Sequence, residues 1–151
     1  MKYIKIILIL FILVIVSSCS GLKLSPAEFS WPIESVLKVG SDGSVKEERY
    51  SISFNTKPMF IKETEDSTSF MGKSIHLIRN FEGHYFITSA GFKHVYVFNM
   101  TEGALVNRSR IKISEENMKN PVFNQRNPFI ELVDDGKTFN LTSEGIDGGE
   151  E

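Results

Sequence analysis

Residues 74–99 read SIHLIRNFEGHYFITSAGFKHVYVFN, three runs rich in β-branched and aromatic side chains split by two short glycine-containing loops. The runs Ser74–Arg79, His84–Ser89 and His94–Asn99 have the length and composition of strands, and Asn80–Gly83 and Ala90–Lys93 have the chemistry of tight turns. If both loops are four-residue turns, Arg79 lies opposite His84 and Ser89 opposite His94. That register puts Ile75, Leu77, Phe86, Thr88, Val95 and Val97 on one face and Ile78, Tyr85, Ile87, Tyr96 and Phe98 on the other. A sheet apolar on both faces must be covered on both sides, so the rest of the chain has to pack above and below this meander.

The flanking sequence continues in the same pattern. Further strands are expected at Ile33–Val39, Val45–Phe54, Met59–Lys62, Ala104–Ile113, Phe129–Val133 and Lys137–Leu141. Ser41-Asp42-Gly43 and Asp134-Asp135-Gly136 carry the Asp-Gly signal of hairpin turns. One helical turn is expected over Ser114–Asn120, capped by Ser114, favoured by Glu115 and Glu116 at the positive end of its dipole, and ended by Asn120-Pro121. Residues 83–105, GHYFITSAGFKHVYVFNMTEGAL, resemble the strand–turn–strand run of a β-propeller blade. A propeller needs about four or more blades, and this chain has room for about three at most. The expected fold is therefore all-β: a single small domain of about eight to nine mostly antiparallel strands in a meander, a sandwich or small barrel with a propeller-blade-like centre.

The amino terminus has a different grammar. Lys2 and Lys5 precede an uninterrupted apolar run, Ile6–Val16, which is followed by small residues and the only cysteine, Cys19. That order is the layout of a secretory signal peptide, and the run falls short of the roughly 20 residues a helix needs to cross a bilayer. Val16-Ser17-Ser18-Cys19 resembles the lipobox of bacterial lipoprotein precursors. The resemblance implies that Cys19 is acylated and becomes the first residue of the mature chain, and that Ser20 directs it to the outer membrane of a Gram-negative host. Ordinary secretory cleavage after Ser20 and an uncleaved N-terminal anchor are the alternatives. A lone cysteine cannot form an internal disulfide, and multiple acyl chains at about 0.8 kcal/mol per buried CH₂ make a stable anchor. The resulting organisation is a signal peptide over 1–18, a lipidated tether over 19–30, a β domain over 31–143 and a flexible acidic tail over 144–151.

The formal charge of −2 becomes −4 once the signal is removed, because Lys2 and Lys5 leave with it. A mixed, mildly acidic surface argues against nucleic acid, which demands clustered Lys and Arg. The three histidines, His76, His84 and His94, are the first candidates for metal or proton chemistry. In the register above His76 and His94 share a face, but their backbones stand roughly 12 Å apart, too far to close on one metal. No Gly-x-Ser-x-Gly elbow, nucleotide-binding glycine loop or calcium-loop spacing occurs. No catalytic residue, metal site or cofactor is therefore expected.

Two segments invite a binding role. Asn124, Gln125, Arg126 and Asn127 set three amides and a guanidinium between Phe123 and Phe129, suited as a loop to a sugar, peptide or carboxylate. Ser53–Phe60 with Phe70-Met71-Gly72 supply Phe and Met that can line a groove or fill the core. The expected function is a lipid-anchored, non-catalytic binding or accessory module of the bacterial cell envelope, meeting the membrane through acylated Cys19 and docking on another envelope protein or a glycan. Two alternatives stand beside it. One is a carrier of a small apolar ligand inside a barrel, which requires a cavity lined by Tyr85, Phe86, Tyr96 or Phe98. The other is a hydrolase, which requires a histidine and a carboxylate meeting in a cleft.

Overall fold

A computed structural model describes residues 33–148; the signal segment, Cys19, the tether and Trp31 lie outside the described residues. The domain is all-β. Strands β1 (Ser35–Lys38), β2 (Ser44–Glu47) and β3 (Ile52–Asn55) precede helix α1 (Lys57–Thr64). Strands β4 (Ser74–Arg79), β5 (Tyr85–Thr88), β6 (His94–Thr101) and β7 (Ala104–Lys112) follow, then β8 (Val122–Arg126), β9 (Phe129–Asp134) and β10 (Lys137–Leu141). They form a central five-stranded sheet in the order β1-β4-β5-β6-β7, a three-stranded sheet β10-β9-β8, and the hairpin β2-β3. All pairings are antiparallel, and no sheet closes into a barrel.

Both faces of the central sheet are covered. Directly paired residues share a face, so Leu37, Ile75, Ile87, Tyr96 and Phe98 point one way. On that side Tyr50 of the β2–β3 turn meets Tyr85 edge-on, and Phe60 of α1 meets Phe92. His76, Ile78, Phe86, Thr88, Val95 and Val97 point the other way, toward the three-stranded sheet that contributes Phe123, Ile130, Leu132 and Leu141. Phe86, Ile87, Leu77 and Ile78 are fully buried; each large apolar side chain so placed contributes about 1.5–3 kcal/mol.

The register differs from expectation at one hairpin. Tyr85 pairs with Phe98 and Ile87 with Tyr96, as the four-residue turn between β5 and β6 demands. Between β4 and β5, however, Arg79 pairs with Tyr85, not His84. Asn80 and His84 bond to each other across a three-residue turn: Asn80 N–H donates to the His84 carbonyl, and His84 N–H donates to Asn80 Oδ1, both at 2.9 Å. Gly83 takes φ +91°, the left-handed position that closes such a turn. A one-residue slip turns every side chain of a strand over. Ile75 and Leu77 therefore lie with Ile87 and Tyr96, and His76 and His94 occupy opposite faces.

Other corrections are local. Val45–Phe54 is two strands, because Glu48–Ser51 makes a tight turn with Ser51 at φ +52°. Residues 57–64, expected to hold a strand at Met59–Lys62, form α1. Pro58 suits the first turn of a helix, and Asn55 Oδ1 accepts the Lys57 N–H at 2.9 Å, serving one of the free donors there. The Asp42-Gly43 turn forms, but β1 and β2 leave it for different sheets. Residues 114–120 are not helical: Lys119 and Asn120 N–H donate to Asp134 Oδ1, and Met118 N–H to the Phe92 carbonyl, so partners elsewhere take the groups a helix would use. Residues 123–129, read as a loop, are instead the end of strand β8 (Val122–Arg126), a short turn and the start of β9. Of the 144–151 segment, Ile146 bridges Leu141 and Glu144 pairs with Arg108 at 3.1 Å.

Candidate functional site

Each of the three histidines places Nδ1 against a glutamate: His76 on Glu34 at 2.8 Å, His84 on Glu82 at 3.1 Å, and His94 on Glu63 at 2.9 Å. At His76 and His94 the contact is a hydrogen bond to the carboxylate, whereas Nδ1 of His84 faces both Glu82 and, at 3.4 Å, the Asn80 amide nitrogen. What differs among the three is their surroundings.

Glu63 stands in the last turn of α1 with its side chain 1 % exposed. It accepts from the Lys93 N–H at 2.8 Å, from His94 at 2.9 Å and from the Tyr96 hydroxyl at 2.7 Å. Burial pushes its carboxyl up, but the bonds from Lys93, Tyr96 and His94 outweigh that and hold it below the usual carboxylate range. Burial, then the adjacent Glu63 carboxylate, raises the Tyr96 phenol well above its ordinary value. Every donor in this cluster has an acceptor, and neither of the two principal cavities touches it. It is a clamp holding α1 to β6. Glu34 acts similarly on the opposite face, with Oε1 accepting from His76 and, at 2.8 Å, from the Phe123 N–H, which ties β4 to β8.

His84 is set otherwise. It follows the β4–β5 turn and lines an open surface pocket of about 360 Å³ with Arg79, Glu82, Gly83, Asn99, Met100 and Thr101. Arg79 lies over the rings of Tyr50 and Tyr85, 5.7 and 5.6 Å from their centroids, which fixes its guanidinium at the rim. Glu82 is 70 % exposed on its side chain and His84 only 15 %. Asn99 Oδ1 is shielded from solvent and has no hydrogen-bond partner among the described residues; such an acceptor costs about 1–3 kcal/mol if left unmet. Phe81, at the tip of the same turn, is 57 % exposed, and Met100 is 39 % exposed. Guanidinium, imidazole, carboxylate and carboxamide thus converge on one cavity that Met100 also lines. The second principal cavity, between residues 113–119 and 134–139, holds only about 50 Å³.

The segment 124–127 is placed on the edge strand β8 and the turn after it. Arg126 Nε donates to Glu131 at 3.0 Å and Asn124 Nδ2 to the same carboxylate at 3.3 Å. Gln125 Nε2 donates to the Phe129 carbonyl at 3.4 Å, while its Oε1 is buried without a partner among the described residues. The guanidinium and two of the amides therefore bond within the β8–β9 hairpin. Met59, Phe60 and Phe70 are core residues, and Met71 is exposed. Among the described residues no group of three His, Cys, Asp or Glu side chains could hold a metal ion, and no helix is long and apolar enough to cross a membrane.

The chain's histidines pointed toward this pocket only in part. Glu82 and His84 flank a turn glycine two residues apart, a signal readable in sequence, whereas Arg79 and Asn99 reach the same cavity only through the pairing of β4, β5 and β6. No protein-family model, curated protein or solved structure matches this chain.

Proposed function

We propose that this chain is a lipid-anchored, non-catalytic binding or accessory module of the bacterial cell envelope, tethered through acylated Cys19. The observation that carries the reading is Val16-Ser17-Ser18-Cys19 directly after the apolar run Ile6–Val16. The described domain supports a binding role over the two alternatives. A carrier needs an enclosed apolar cavity, but Tyr85, Phe86 and Tyr96 are buried in the core, and neither principal cavity is lined by them or by Phe98. A hydrolase gains one requirement, since His84 and Glu82 meet in the open pocket. No serine or cysteine nucleophile lines that cavity, whose only hydroxyl is that of Thr101.

The test is extraction of the full chain from its own membranes in mild detergent, with mass spectrometry of the intact protein and a Cys19→Ala control. The expected result is a chain starting at Cys19 with added acyl mass, released from membranes by Cys19→Ala. An unacylated chain that begins elsewhere would refute the anchoring.

A further inference from the structure

We infer that the pocket beside His84 binds a neutral polyhydroxylated ligand, a sugar unit of an envelope glycan. The inference deepens the binding-module reading and rests on it for the source of the sugar.

The argument begins with charge. Arg79 and Glu82 both line the cavity. A phosphate or carboxylate entering it would face the Glu82 carboxylate, and an ammonium would face the Arg79 guanidinium. A neutral ligand suffers neither repulsion. The bonding pattern points the same way. Arg79 only donates, Glu82 only accepts, and the His84 imidazole can do either, its Nδ1 lying 3.1 Å from Glu82 and 3.4 Å from the Asn80 amide nitrogen. Asn99 lines the wall, and its Oδ1, shielded from solvent, has no hydrogen-bond partner among the described residues. Hydroxyl groups are the ligand chemistry that donates and accepts at once, so neighbouring hydroxyls on a ring can serve this mixed wall.

Shape and apolar surface complete the match. At about 360 Å³ the cavity falls at the low end of the roughly 300–1,000 Å³ usual for small-ligand sites. Met100 lines it, and Phe81, next in sequence to the lining residue Glu82, is exposed; both offer apolar surface for the C–H face of a pyranose. Arg79 is already held between Tyr50 and Tyr85, so little ordering of the guanidinium is needed on binding. The segment 124–127 offers no comparable site, because Arg126 and Asn124 bond to Glu131.

The experiment titrates the full acylated chain, in a phosphocholine detergent free of sugar, with maltotetraose, cellotetraose and chitotetraose. Binding is read by saturation-transfer NMR and calorimetry, with inorganic phosphate and spermidine as ionic comparators. At least one saccharide is expected to bind saturably and neither ion to compete. Arg79→Ala and Asn99→Leu should each weaken it about tenfold, the loss of one good hydrogen bond. Phe81→Ala, at an exposed position that the fold does not need, should weaken it about threefold with an unchanged melting temperature. Binding of no saccharide, binding indifferent to Arg79→Ala and Phe81→Ala, or binding of phosphate or spermidine in place of sugar would each overturn the inference. A sugar-binding chain without acyl groups would sink the anchoring and leave the pocket standing. An acylated chain that binds no sugar would do the reverse.

Discussion

His94–Glu63 and His84–Glu82 join the same two kinds of side chain at the same ring nitrogen, 2.9 and 3.1 Å apart, yet they do opposite things. The Glu63 side chain is 1 % exposed and that of Glu82 70 %. Around Glu63 three donors converge on one carboxylate under a helix. Around Glu82 the fold leaves a cavity, a guanidinium without a carboxylate partner among the described residues, and a carbonyl oxygen without a donor. Residue type does not separate a clamp from a site. The distinction lies in whether bonding capacity is used up by the fold or left unused.

Removing Glu63 should break this comparison hardest. Glu63→Ala leaves the Lys93 N–H, His94 and the Tyr96 hydroxyl without their acceptor in a buried place, and about 3–5 kcal/mol of stability should be lost. Urea unfolding followed by circular dichroism measures it, and hydrogen exchange should show α1 opening first. A loss below about 1 kcal/mol would mean that the cluster is no clamp. Acid offers a second handle on the same group. The Glu63 carboxyl is held below its ordinary value in the folded state. Its contribution is therefore fully present above the ordinary carboxylate value and is lost as pH falls through the lowered folded value. Urea midpoints of the wild type and Glu63→Gln should converge as pH falls through that window. A gap independent of pH would show that the carboxylate charge contributes nothing.

Next in size is Tyr96→Phe, which keeps the ring and removes one of the three donors. Hydrogen bonds to charged groups contribute about 1.5–3 kcal/mol, and the loss should sit near the lower end because Glu63 keeps two donors. A double-mutant cycle with Glu63→Gln isolates the hydroxyl–carboxylate coupling. If the two losses simply add, the pair does not interact and the cluster is only a set of neighbours.

How much of this was legible in sequence follows the distance over which the signal acts. Ser74–Arg79 and Lys137–Leu141 are strands with the bounds their composition predicts, and Asp135-Gly136 makes the expected turn with φ +49° and +78°. These depend on residues next to one another. The β4–β5 register was lost to a single choice by Asn80, whose side chain and backbone both pair with His84. Helix α1 was lost because Met59-Phe60-Ile61 is too short an apolar run for periodicity to decide, and Phe60 is buried in either reading. The clamp was not legible at all. Glu63 lies 31 residues before His94 and Glu34 lies 42 before His76, so only the folded topology brings them together. Only the Glu82–His84 pair is local in sequence.

That locality sets the smallest predicted effect. Glu82 and His84 are two residues apart in a turn and remain neighbours in the unfolded chain, so folding gains little from their contact. The pair is also exposed on the glutamate side, where ion pairs contribute about 0–1 kcal/mol. Glu82→Gln should therefore leave the urea midpoint nearly where it was, in contrast to the large loss at Glu63. The substitution still removes the charge that keeps anions out of the pocket. The variant should accordingly lose saccharide affinity and begin to bind phosphate while folding as well as the wild type. A clear loss of stability would make the second histidine–glutamate pair a clamp like the first, and the contrast between the two regions would disappear. An unchanged fold with altered ligand preference would place the difference in the solvent-facing groups that the fold leaves unused.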